Sequence, residues 1–149
     1  MPDHRITHIG LCVGDLDRSE RFYTEALGFE VVGRMSVDDP AGAPLLGMGD
    51  LDAGMGLDLV YLEHSGLRIE LLGWSNPTAE GDGSPRPMNR LGLTHLSIRV
   101  DDVWALAERV RAAGGTVVDG SEVTFSGGNR GLMLLDPDGT LLELIERTR

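Results

Sequence analysis

Four side chains of this sequence carry chemistry at positions where strands are otherwise apolar: His8, Glu70, His95 and Glu143. Their runs are Thr7-His8-Ile9-Gly10-Leu11-Cys12-Val13, Leu67-Arg68-Ile69-Glu70-Leu71-Leu72, Leu93-Thr94-His95-Leu96-Ser97-Ile98-Arg99-Val100 and Leu141-Leu142-Glu143-Leu144-Ile145-Glu146. Two neutral imidazoles and two carboxylates are metal ligands by type. They leave room for one or two waters in an octahedral site, which suits Ni, Co, Mn, Fe(II) or Zn in a catalytic role better than a closed structural tetrahedron. A lone strand histidine is more often a hydrogen-bonded core residue, and a lone glutamate near a strand end is usually just exposed. The case for grouping the four lies in the elements that carry them.

Those elements repeat. Residues Thr94 to Asp102 lie on Thr7 to Asp15 at a constant offset of 87, and Gly115 and Gly120 fall on Gly28 and Gly33 without a gap. Gly139-Thr140-Leu141-Leu142-Glu143-Leu144 lies on Gly66-Leu67-Arg68-Ile69-Glu70-Leu71 at an offset of 73, so the first copy holds 14 residues more than the second. An internal repeat means one supersecondary unit used twice. Each copy reads as strand, helix and three strands, with a histidine on the first strand and a glutamate on the last. A pseudo-two-fold relation between the copies would gather His8, Glu70, His95 and Glu143 at one point. Period-2 alternation agrees: Ile9, Ile69, Leu71, Leu96, Leu142 and Leu144 flank the four and face the helix side, which turns the ligands to the concave face.

In chain order, Ile9, Leu11 and Val13 alternate as a strand. A short helix follows from Asp15 to Gly28, with Asp17 and Glu20 spaced as a capping box and Gly28 as the left-handed stop. Leu16, Tyr23, Ala26 and Leu27 form its apolar stripe, with Phe22 beside it. Phe29 to Arg34 reads as a second strand. From Asp38 to Gly56 no period survives, and Leu45, Leu46, Met48, Leu51 and Met55 scattered through it favour a lid or interface loop. Leu57 to Glu63 and Leu67 to Gly73 form a hairpin around His64-Ser65-Gly66. Ser75 to Arg90, rich in proline, glycine and acidic residues, is a linker. His4 and His64 lack the support of the repeat, and Cys12 is a small packing residue or one that faces the pocket.

At 149 residues the chain is one domain or two small modules fused into one: module one at about 5–74, the linker at about 75–90 and module two at about 91–149. One cysteine excludes an internal disulfide, and residues 1–5 open neither a signal peptide nor a membrane span, so a cytoplasmic protein is expected. A formal charge of −11 and a pI near 4.6 argue against nucleic-acid and anionic-membrane partners. The expected partner is a small-molecule substrate. Ser97, Arg99 and Arg68 alternate onto the same face as the glutamates, where an arginine can hold a carboxylate or phosphate; an exposed strand-end arginine, or one pairing across a dimer, is the plain alternative.

The residues resemble the vicinal oxygen chelate superfamily, which includes glyoxalase I, methylmalonyl-CoA epimerase, extradiol dioxygenases and the fosfomycin and bleomycin resistance proteins. The likeness covers nearly the whole chain. It is carried by Gly14-Asp15-Leu16-Asp17-Arg18-Ser19 with Phe22-Tyr23 and Leu27-Gly28-Phe29, and by Asp136-Pro137-Asp138-Gly139 before Leu142-Glu143-Leu144. It implies an α+β fold of two tandem βαβββ modules, an open barrel-like sheet with a metal site on its concave face. A His, Glu, His, Glu set is similar to that of glyoxalase I, whose chemistry is proton removal next to a metal-chelated carbonyl, with Glu143 and Glu70 as candidate bases. The resemblance also implies a homodimer with metal sites shared between chains. Gly73-Trp74-Ser75-Asn76-Pro77 and Asn89-Arg90-Leu91-Gly92-Leu93 depart from the bacterial glyoxalase I pattern, with Trp74 a candidate substrate contact. Glu80-Gly81-Asp82-Gly83-Ser84-Pro85 resembles the epimerase linker. Alternatives are that epimerase, an iron-dependent dioxygenase, and a non-catalytic binding protein of the resistance type.

Overall fold

A computed structural model describes residues 4–47 and 54–147, so Met48 and Leu51 of the expected lid lie outside the described residues. The chain divides into two compact units: residues 1–20 with 28–80, and residues 21–27 with 81–149. Both are mixed α+β, and neither sheet closes into a barrel.

Unit 1 holds a four-stranded sheet in the order β1 (Ile9–Val13), β4 (Leu67–Asn76), β3 (Gly56–His64), β2 (Glu30–Val37). β1 runs parallel to β4, a pairing that needs a crossover rather than a tight turn, and the other pairs are antiparallel. The crossover starts with α1 (Leu16–Arg21). Its N-cap is Asp15, whose Oδ1 accepts from the Arg18 amide at 2.9 Å. The expected Asp17–Glu20 box therefore does not form: Glu20 instead pairs with Arg34 of β2, taking a 2.7 Å hydrogen bond from Nη2. Leu16 lies against Gly73, where an added Cβ would come within 3.0 Å of it. Val60, Leu62, Ile69 and Leu71 are buried on the helix-facing side of the sheet.

After β2 the expected loop is partly ordered as a 3₁₀ helix, Pro40–Leu46. Asp39 caps it by accepting from the Ala41 amide at 2.9 Å, and Gly47 ends it in the left-handed conformation. Leu45 on this turn is 92% exposed, whereas Met55 beyond it is buried. β4 runs three residues further than expected, into Ser75 and Asn76.

Unit 2 takes in the end of the first helix. Phe22–Ala26 continue α1 as a π-helical turn, and Phe22 and Tyr23 are both fully buried. The wider turn lets two adjacent aromatic side chains face one core, which α-helical spacing does not favour. The sheet order is β5 (Leu96–Val100), β9 (Leu141–Glu146), β8 (Arg130–Leu135), β6 (Thr116–Val117), with β7 (Val123–Thr124) also on β8. The parallel β5 and β9 are bridged by α2 (Val103–Ala112), whose buried Val103, Ala107 and Val110 form its core stripe. Asp102 caps α2 through the Trp104 and Ala105 amides, and Glu146 accepts from the Val103 amide at 3.0 Å while held by Arg130.

The turn before β9 is tied to the π-helical segment. The Tyr23 hydroxyl donates to Asp136 Oδ2 at 2.9 Å, and Asp136 Oδ1 accepts from the amides of Asp138 and Thr140. Burial raises the Asp136 carboxyl above its ordinary range and, with the Asp136 charge, raises the Tyr23 phenol well above its own. Gly139 has φ of 86° and lies against the Gly83 backbone, so no side chain fits there. Among the described residues no helix is long and apolar enough to cross a membrane.

Candidate functional site

The parallel register of β1 on β4 sets Gly10 opposite Glu70. His8 precedes Gly10 by two residues, and its Nε2 lies 3.3 Å from Oε2 of Glu70. Unit 2 repeats the arrangement: Ser97 stands opposite Glu143, and Nε2 of His95, two residues earlier, lies 3.5 Å from Oε2 of Glu143. The strand neighbours Ile69, Leu71, Leu142 and Leu144 are fully buried, which fixes the glutamates on the opposite face. The paired side chains keep between 12% and 35% exposure, open enough to receive a ligand.

In both pairs the other ring nitrogen is engaged by the preceding residue. Oγ1 of Thr7 lies 3.2 Å from Nδ1 of His8, and Oγ1 of Thr94 lies 2.9 Å from Nδ1 of His95. A neutral imidazole that donates Nδ1–H to a threonine oxygen keeps its lone pair on Nε2, the atom that faces the glutamate. Two donor atoms held side by side on a divalent ion at 2.0–2.2 Å are about 3 Å apart. The Nε2 to Oε2 separations come near that, so each pair fits two adjacent positions on one ion. Within either unit, among the described residues, no third His, Cys, Asp or Glu joins the pair.

The two carboxylates are steadied differently. Ser97 donates to Glu143 Oε2 at 2.7 Å, whereas Gly10 at the matching register position of unit 1 has nothing to donate. There the side chain at the matching place comes from the other neighbouring strand: Tyr61 of β3 stands opposite Glu70. The Glu70 carboxylate as acceptor, then partial desolvation, pushes the phenol up to about 12. The Tyr61 ring also meets the His8 ring edge-on at 5.8 Å. Thr7, Thr94 and Tyr61 were not singled out from the sequence. Thr–His recurs in both copies, and Tyr61 is reached by counting three pairs outward from the His64–Leu67 pair that closes the hairpin.

The face of the unit 1 sheet that carries His8 and Glu70 bounds a cavity of about 700 Å³. His8, Tyr61 and Glu70 line it together with Leu57 and Leu59 of β3. Asp38, Asp39, Leu45 and Leu46, from the segment after β2, line it as well. Trp74 and the exposed Cys12 line a second cavity, of about 370 Å³, in the same unit. Arg68 is drawn to Glu63 at 2.9 Å. Arg99 is exposed and shares its face with Ser97 and Glu143.

Residues 5–144 match the family described as the Glyoxalase/Bleomycin resistance protein/Dioxygenase superfamily. The chain is 31% identical over 147 residues to a probable lactoylglutathione lyase of Vibrio cholerae, covering 98% of this chain and 93% of that one. It is 32% identical over 145 residues to a 2-epi-5-epi-valiolone epimerase of an Actinomyces species, covering 94% and 78%. In fold it is similar to a glyoxalase family protein of Bacillus cereus, with a TM-score of 0.80 at 22% identity over 98% of this chain and 97% of that one. With the duplicated strand–helix–strand units and their matching His–Glu pairs, these findings place one conclusion beyond the fold itself: the chain belongs to the Glyoxalase/Bleomycin resistance protein/Dioxygenase superfamily.

Proposed function

We propose that this chain is a cytoplasmic, metal-dependent lyase or isomerase of the glyoxalase I type, with His8, Glu70, His95 and Glu143 as the ligands of one divalent ion: Ni, Co, Zn, Mn or Fe. The observation that carries this reading is the duplicated Thr–His···Glu grouping, with Nε2 turned to the carboxylate in each unit. A structural histidine would not need the same orienting threonine and the same facing glutamate twice. The likeness to lactoylglutathione lyases supports the reaction class.

A divalent ion at these residues supplies positive charge beside a carbonyl oxygen, which eases removal of a proton from the adjacent carbon by several kcal/mol. The chain itself handles the proton. A carboxylate oxygen of Glu143 or Glu70 takes it from the thiol-bearing carbon of a hemithioacetal and returns it to the neighbouring carbon. One carbon is oxidised as the other is reduced, so the rearrangement consumes no external oxidant. Ser97 donates to Glu143 and orients it, and Tyr61, opposite Glu70, takes the corresponding part in unit 1. Thr7 and Thr94 hold the imidazoles. Arg99, Ser97, Arg68 and Trp74 are the proposed substrate contacts, with Arg68 shared with Glu63. The likeness to a 2-epi-5-epi-valiolone epimerase favours a second reading, epimerisation next to a carbonyl, which uses the same proton removal with return to the same carbon.

Each unit offers two of the four ligands, so a complete set needs one unit 1 and one unit 2. In this reading the units come from the two chains of a homodimer. Mixing a His8→Ala/Glu70→Ala chain with a His95→Ala/Glu143→Ala chain then restores part of the activity, whereas sites built within one chain stay dead.

The test of the function combines elemental analysis with deuterium exchange. The protein is expected to hold about one divalent ion per set of four ligands and to wash deuterium from the carbon next to the carbonyl into solvent. A protein that takes up no ion on titration with Ni, Co, Zn, Mn or Fe(II) overturns the metal; oxygen uptake without exchange moves the reading to a dioxygenase.

A further inference from the structure

We infer that the part of the substrate lodged in the unit 1 cavity carries no negative charge, so that a thiol whose free end occupies this cavity is neutral or cationic rather than glutathione. The inference rests on the functional reading above and narrows its substrate class.

The cavity of about 700 Å³ opens beside His8, Tyr61 and Glu70, where the reacting carbon would lie, so its remaining volume takes the non-reacting end of the substrate. Its charged lining residues besides the ligand pair are Asp38 and Asp39, and no arginine or lysine is among its described lining residues. Leu57, Leu59, Leu45 and Leu46 supply apolar wall. Arg34 and Arg68, the arginines on the sheet of unit 1, are not among the described residues that line this cavity, and they pair with Glu20 and Glu63.

Glutathione brings two carboxylates and one ammonium, and a coenzyme A ester brings phosphates; each needs cationic donors, ideally the arginine fork, to offset desolvation. Against Asp38 and Asp39 such groups meet like charge. After solvent screening, each uncompensated anionic group costs roughly tenfold in affinity. A hydroxyl or ammonium group reverses the sign, because the aspartates accept hydrogen bonds and the Ser36 hydroxyl, also in the lining and already donating to Asp58, can still accept. The net charge of −11 on the chain acts in the same direction on approach.

The test uses three thioethers with the same apolar tail: the S-hexyl derivatives of glutathione, thioglycerol and cysteamine. None has a reacting carbon, so calorimetry on the full-length, metal-loaded protein reads binding without turnover. The cysteamine and thioglycerol derivatives are expected to bind at least tenfold more tightly than the glutathione derivative. An Asp38→Asn/Asp39→Asn variant, in which the side-chain amide oxygen at position 39 can still cap the 3₁₀ turn, is expected to narrow that gap severalfold while circular dichroism stays unchanged. Tightest binding of the glutathione derivative, equal binding of all three, or binding of none overturns the inference. So does a gap that the double variant leaves unchanged.

A second arm separates this inference from the reading beneath it. Deuterium washout is followed for the hemithioacetals that deuterated methylglyoxal forms with the three parent thiols. Washout fastest with thioglycerol or cysteamine supports both. Washout fastest with glutathione overturns the inference and leaves the reaction class standing. Washout with none, together with the expected order in calorimetry, overturns the reaction class while the charge preference of the cavity stands.

Discussion

The Ser97 hydroxyl donates to Oε2 of Glu143 at 2.7 Å, from the register position at which unit 1 has Gly10. The same oxygen faces His95, so Ser97 sets the position of the carboxylate oxygen that the proposed metal would use. Replacing Ser97 with Ala is expected to weaken metal binding by about tenfold, the lower end of what loss of a group supporting a ligand costs. Competition against a chelator measures this, and Ser97→Thr, which keeps a hydroxyl, should restore most of it.

Tyr61, opposite Glu70 on the other neighbouring strand, is the proposed counterpart of Ser97. Tyr61→Phe keeps the ring against His8 and removes only the hydroxyl. The expected outcome is again a loss of about tenfold in metal affinity, with the melting temperature near that of the parent. A Ser97→Ala/Tyr61→Phe double variant should lose both factors in full if the pairs serve the same ion as independent supports.

The buried hydrogen bond from Tyr23 to Asp136 makes a prediction about stability alone. Tyr23→Phe leaves the ring and takes away a donor from a buried carboxylate, which should cost about 1–3 kcal/mol in urea denaturation. The slope of the transition should not change, because the surface exposed on unfolding is nearly the same.

Glu146 predicts a pH dependence. The Val103 amide, then the Arg130 guanidinium, hold its carboxyl below the ordinary value of 4.5. A depressed carboxyl contributes stability that is present above its unfolded value and is lost as pH falls through its folded value. Glu146→Gln should therefore melt below the parent at pH 7, with the gap closing as pH falls below about 4. Asp136 acts in the opposite sense: burial raises its carboxyl, so its contribution is full in acid and declines as pH rises through its folded value. Comparing parent with variant at each pH removes that background.

The strands, the order of elements and the two His–Glu pairs were legible because alternation and repetition act over short spans of chain. Ile69, Leu71, Leu142 and Leu144 bury one face and so dictate where Glu70 and Glu143 point. Helix caps were less legible. Asp15 and Asp17 offer the same chemistry two residues apart, and the choice fell to Asp15 while Arg34, from another element, drew Glu20 away. The π-helical turn was hidden for a similar reason: the demand that Phe22 and Tyr23 both be buried comes from unit 2, far along the chain. The place of Tyr61 opposite Glu70 was within reach of hairpin register, whereas the 3₁₀ turn at Pro40–Leu46 shows no period to read. The second copy also carries β7, an addition that the strand, helix, three-strand reading did not include.

The assignment of residues 21–27 to unit 2 bears on how the protein is made. Phe22 and Tyr23 emerge early in synthesis, yet Asp136, the partner of Tyr23, comes 113 residues later. A polypeptide begun at Gly81 would reproduce every strand of the second copy and still lack two aromatic side chains of its interior. A C-terminal piece cut at the linker is therefore expected to be less stable than the same residues in the full chain. The second copy thus takes part of its core from the sequence of the first.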